Sequence, residues 1–101
     1  MSVSVKIYGS VASIVLSGGI DYGTQEAFRN ANQQALTVKG VTEIRVDFAN
    51  ATFLDSSGIR SLLTLQKDAD KRGISVYLLN CDSRMREIFE IGGFDKVFKF
   101  K

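Results

Sequence analysis

Apolar and polar positions alternate, then switch to helical spacing, in a repeating order along the chain. Val3, Val5 and Ile7 alternate with polar residues, the period-two pattern of a half-buried strand. Gly9-Ser10 reads as a turn, and a second strand follows through Val11, Ile14, Val15 and Leu16, ending at Gly18-Gly19. So short a connection predicts an antiparallel hairpin at one edge of a sheet. Ala27, Phe28, Ala31, Ala35 and Leu36 then recur at helical spacing, with Arg29, Asn30, Asn32, Gln33 and Gln34 mostly on the opposite face. Asp21 or Thr24 is the candidate N-cap, Glu26 suits the first turn, and Gly40 closes the region.

Glu43 to Phe48 is a third alternating strand, with Ile44, Val46 and Phe48 on one face and a short connection from Asn50. A second helix runs from the Asp55-Ser56-Ser57-Gly58 turn to about Arg72, its stripe formed by Ile59, Leu62, Leu63, Leu65, Gln66 and Ala69. Lys71 and Arg72 oppose the negative end of its dipole, and Gly73 fits the C′ position. Ile74 to Asn80 is nearly continuously apolar, as expected in the middle of a covered parallel sheet. Asp82 or Ser83 caps a short helix bearing Met85, Ile88 and Phe89; Gly92-Gly93 stops it, and Val97 to Phe100 forms a last strand. The order predicts one α/β domain over residues 1–101: a mixed, mostly parallel sheet with an N-terminal antiparallel hairpin and helices packed on it.

Composition narrows the chemistry. The chain is 45% hydrophobic and 24% charged, ordinary for a soluble globular protein. A net charge of +2, scattered along the chain, gives no reason to expect nucleic acid as a partner. No apolar run approaches the roughly 20 residues a membrane span needs, so membrane insertion is not expected. The first residues lack an apolar signal-peptide core, and Cys81 is the single cysteine, so the cytoplasm is the expected location. There is no histidine, which removes Ser-His-Asp and Cys-His nucleophile pairs and histidine metal sites. Phosphate-cradling glycine loops are missing as well. No catalytic residue, metal or cofactor is expected, and Cys81, Met85, Ile88 and Phe89 read as packing residues.

The one stretch with chemical promise is Asp55-Ser56-Ser57-Gly58. Asp55 and Ser56 both suit helix capping. Ser57 falls in the first helical turn, expected to be exposed, where free N–H groups and the helix dipole favour negative charge. Plain capping explains the same residues, so spacing alone leaves the two readings level.

Three segments resemble the STAS domain family, whose founding bacterial members are anti-sigma factor antagonists. They are Phe53-Leu54-Asp55-Ser56-Ser57-Gly58-Ile59, Leu16 to Thr24, and Ile88 to Phe98. The resemblance implies a phosphorylation-controlled partner switch. Ser57, before the glycine, would be the phosphorylated residue, with Ser56 the second choice. The partners implied are an anti-sigma factor that is also a serine kinase, bound by the unphosphorylated form, and a phosphoserine phosphatase. Asp21, Thr24, Asp55, Ser56, Gly58, Ile59 and Arg60 form the expected partner-binding surface, although Asp21 fits a simple N-cap equally well. Gly19 stands where the family often carries a charged residue, and Arg60 where some members have a small one. A constitutive, unphosphorylated STAS adaptor or scaffold, as in transport or stress-sensing assemblies, is the alternative; an enzyme ranks well behind.

Overall fold

The structure, a computed structural model, describes residues 2–101; Met1 of the expected 1–101 domain lies outside them. Strand β1 (Ser2–Tyr8) turns at Gly9 into β2 (Val11–Ile20). A 3-10 turn over Tyr22–Thr24 leads into α1 (Gln25–Thr37), then β3 (Glu43–Leu54), α2 (Ser56–Lys71), β4 (Ser75–Leu79), α3 (Ser83–Ile91) and β5 (Lys99–Phe100). The five strands lie in sequence order; β1 and β2 pair antiparallel, and every later pairing is parallel. This is the expected α/β architecture. β5 is shorter than expected, because Val97 is held in a turn by its N–H donating to Phe94 O at 3.0 Å.

Alternation places the core on one face. Ala12, Ile14 and Leu16, Ile44, Val46 and Phe48, and Val76 and Leu78 are all buried, and the register aligns Ala12 with Ile44 and Val76. Onto this face pack Phe28, Ala35 and Leu36 of α1, Leu62, Leu65 and Ala69 of α2, and Met85 and Phe89 of α3. Phe89 anchors the last helix edge-on to Phe48, Phe98 and Phe100, at centroid separations of 6.2, 5.5 and 5.5 Å. The residues between the buried ones, such as Arg45, Tyr77 and Leu79, are only half-buried. The apolar run of β4 therefore belongs to a sheet covered on one side, not on both.

Three further expectations are corrected. Gly18-Gly19 does not end β2, and Asn50 does not begin a connection. Both strands run on because they pair with each other: Ser17 with Asn50, Gly18 with Ala51, Gly19 with Phe53 and Ile20 with Leu54. The register shifts between Val15 and Ser17 and between Gly18 and Gly19, as at a β-bulge. On α1, Ala27 is exposed while Asn32 is buried. Asn32 lies next to Ala31 and one turn from Phe28 and Leu36, and so shares their inward face.

Candidate functional site

The extended ends of β2 and β3 deliver the candidate site. Pairing of Ile20 with Leu54 is followed by the Asp55 N–H donating to Ile20 O at 3.0 Å, which sets Asp21 and Asp55 at neighbouring strand ends. Asp55, in extended conformation, is the N-cap of α2: its Oδ1 accepts from the N–H groups of Ser57 at 2.9 Å and Gly58 at 3.1 Å. Ser56 is therefore the first helical residue, exposed and not a cap. Ser57 is half-buried rather than fully exposed, because Ser61, one turn on, belongs to the buried stripe. The Ser57 hydroxyl makes no hydrogen bond among the described residues. A group transferred to it would sit at the positive end of a 16-residue helix, beside the Asp55 carboxylate.

Gly58 is buried for a packing reason. A Cβ there would overlap Leu54 Cδ1 and approach Ile20 Cγ2 to 3.0 Å, so the first turn of α2 is pressed directly onto the two strand ends. Gly19 plays the same part under Phe53, whose ring lies where a Cβ would be, with Cδ1 at 2.7 Å. A charged side chain at position 19 would have to displace that ring. Ile59 is half-buried against the core, while Arg60 is exposed, and its carbonyl accepts from the Thr64 hydroxyl at 3.1 Å.

Asp21 closes a separate capping box on the 3-10 turn. Its Oδ1 accepts from the Thr24 N–H at 3.1 Å, and its own N–H donates to Thr24 Oγ1 at 3.0 Å. Thr24 occupies the N-cap position of α1 without a side-chain cap, its hydroxyl being turned to Asp21. The capping expectation for Asp21 thus holds for the turn rather than for α1. Tyr22, within that turn, is 75% exposed.

Sequence reasoning did not single out the apolar border of this region. Phe53 and Ile91 are exposed, and with Ala51, Ile88, Asp82 and Arg84 they line a hollow of about 470 Å³ between the end of β3 and α3. An aromatic two residues before the capping aspartate was visible in the sequence; its pairing with α3 is a tertiary fact. Asp82, not Ser83, caps α3, accepting from the Met85 N–H at 2.9 Å. Cys81 is a free, half-buried thiol just past the end of β4. Burial pushes its thiol up to about 12; Arg86 opposes this and Asp82 and Asp47 add to it. Among the described residues no three His, Cys, Asp or Glu side chains are grouped to hold a metal, and no helix is long and apolar enough to cross a membrane.

Comparisons with known proteins agree with this fold. The STAS domain model matches residues 2–101. A STAS-domain containing protein of Pseudomonas aeruginosa is 35% identical over 92 residues, covering 90% of this chain and 88% of that protein. The anti-sigma factor antagonist SpoIIAA, solved in its unphosphorylated form, superposes with a TM-score of 0.77 at 24% identity, over 99% of this chain and 87% of that one. A sulfate transporter family protein from Wolinella succinogenes shares the fold with a TM-score of 0.79 at 15% identity, over 94% of this chain and 80% of that one. From the matched model and the bacterial relative, the chain belongs to the STAS domain family.

Proposed function

We propose that this chain is a non-enzymatic, cytoplasmic partner-switching regulator controlled by phosphorylation of Ser57. In its unphosphorylated form it binds an anti-sigma factor that is also a serine kinase; phosphorylation releases that partner, and a phosphatase resets the cycle. The supporting observation is the division of labour at the start of α2. Asp55 satisfies the Ser57 and Gly58 N–H groups, and the Ser57 hydroxyl is left without a hydrogen-bond partner among the described residues. Phosphate there adds roughly −1.5 to −2 charges, which the helix dipole tolerates and the neighbouring Asp55 carboxylate opposes. The consequence is local. The new charge and bulk exclude a partner seated on Asp21, Asp55, Ser56, Ile59 and Arg60, while the fold persists.

The test is phosphosite mapping by mass spectrometry on protein recovered from its native cells, wild type beside Ser57→Ala. Phosphate on Ser57, absent from the variant, is the expected result. Phosphate on Ser56 alone would keep the switch and move its site to the more exposed serine. The second reading, a constitutive adaptor, draws on the fold shared with the sulfate transporter family protein. Absence of phosphate under several growth conditions would put that reading first.

A further inference from the structure

The helices cover one face of the sheet, and the register shows what the other face carries. One cross-strand row runs Lys6, Ser13, Arg45, Tyr77 and Lys99, paired in turn from β1 to β5. Paired residues project to the same side of a sheet. Ser13, Arg45 and Tyr77 alternate with the buried residues of their strands, so this row faces away from the helices. It spans four strand spacings, roughly 19 Å at about 4.8 Å each. Lys101 joins it, with Nζ 4.1 Å from the centre of the Tyr77 ring and 4.0 Å from Glu43 Oε2; Lys99 Nζ lies 5.6 Å from the same ring.

The carboxylates of this face are already engaged. Glu43 pairs with Arg45 and Lys101. Asp47 Oδ1 accepts from Asn80 Nδ2 and from the Ala49 N–H, both at 2.9 Å. Lys6 and Lys99 make no ion pair among the described residues. Lys6, Arg45, Lys99 and Lys101 outnumber the two carboxylates, so among the described residues a positive excess remains unanswered, and half-buried Val11, Val15 and Leu79 lie among the charges.

We infer that this open face is a second docking surface, and that its partner is a protein presenting acidic side chains. The surface contains none of the residues around Ser57, so the inference goes beyond the switch and does not rest on it. Charge complementarity selects the acidic partner, and the apolar residues between the cations supply area that a protein surface can cover. Nucleic acid fits less well, because Lys99 and Lys101 occupy the Tyr77 ring that would otherwise stack on a base. A lipid surface fits less well too. Val11, Val15 and Leu79 are part of a pleated sheet and half-buried, unlike the apolar face of an interfacial helix that sinks into a bilayer.

The test measures fluorescence anisotropy of a labelled peptide rich in Glu and Asp with interspersed Leu, at low ionic strength and at about 0.15 M salt. The wild type binds, more weakly at the higher salt. Lys6→Gln/Arg45→Gln/Lys99→Gln weakens binding by at least about 10-fold. Lys39→Gln/Lys67→Gln/Lys71→Gln removes the same charge elsewhere and changes it less than about 2-fold. Should the Arg45 change perturb the fold by circular dichroism, the pair Lys6→Gln/Lys99→Gln, both exposed, carries the test. Equal loss in both triples would reduce the effect to net charge and overturn the inference, as would absence of binding. Tighter binding of single-stranded oligonucleotide or anionic phosphatidylglycerol vesicles through the same row would overturn the choice of partner. Ser57→Asp is measured alongside and leaves peptide affinity unchanged; a loss there would merge the two surfaces.

Discussion

The two ends of α2's packing face are built to different tolerances. At its first turn, Gly58 meets Leu54 and Ile20 so closely that a methyl group has no room. Further along, the same helix faces α1 across a groove of about 360 Å³, lined by Arg29, Asn32, Gln33, Ser61, Thr64 and Asp68. Within that groove Asn32 is 4% exposed, and its Oδ1 has no hydrogen-bond partner among the described residues. Close packing fixes the position and direction of the helix start, which is where the proposed phosphorylation site must be presented. Slack and an unpaired amide are tolerated where only the two helices meet. The difference locates structural precision beside Ser57.

Gly58→Ala is the sharpest way to break this contrast. In an exposed helix interior the change would favour folding by about 0.8–1 kcal/mol. Here the new methyl must displace the Leu54 side chain, which is itself buried, and it also presses on Ile20. Overpacking of this kind costs about 1–3 kcal/mol and outweighs the propensity gain. Chemical denaturation should show a lower midpoint. An unchanged or higher midpoint would mean that the α2–strand contact is looser than its geometry.

At the slack end the sign reverses. Asn32→Leu keeps the number and branching of side-chain heavy atoms, places its larger volume in the groove, removes a buried acceptor that has no partner among the described residues, and adds apolar contact beside Leu36 and Leu65. Leaving a buried polar group unsatisfied costs about 1–3 kcal/mol, so relief of part of that cost should raise stability by about 1 kcal/mol. Destabilisation on denaturant melting would show instead that Asn32 is satisfied by ordered water and belongs to a polar network.

These two positions also mark what was legible in the sequence. The alternation of Ile44, Val46 and Phe48 and the helical spacing of Leu62, Leu65 and Ala69 are local patterns, and they identify strand and helix directly. Asp55 was equally readable as a cap, since capping depends on residues two and three places along. Gly18, Gly19 and Asn50 were misleading because each is locally a breaker. They continue strands only through pairing across some thirty residues, and Gly19 serves to admit the Phe53 ring. The uncovered side of β4 likewise depends on which elements meet, a tertiary outcome that no single segment encodes, whereas the inward place of Asn32 follows from its spacing to Phe28 and Leu36 within α1. For the same reason Ser57 was readable as a residue of the first helical turn, whereas the apolar hollow between Phe53 and α3 was not.

The smallest expected effect bears most directly on function. Ser57→Asp places a negative charge within the first turn of α2, where the dipole stabilises it, and beside Asp55, which repels it. Dipole and surface-charge effects are each of the order of 0.3–1 kcal/mol and here oppose one another, so stability should shift by no more than about 0.5 kcal/mol. Circular dichroism should match the wild type. The Asp55 cap supports this expectation, because its bonds to the Ser57 and Gly58 N–H groups use backbone donors that the substitution leaves in place. A folded variant that no longer binds its kinase partner would assign the switch to the surface. A variant that loses helix content would instead assign it to melting of the α2 start, and the close packing at Gly58 would then be the element that phosphorylation undoes.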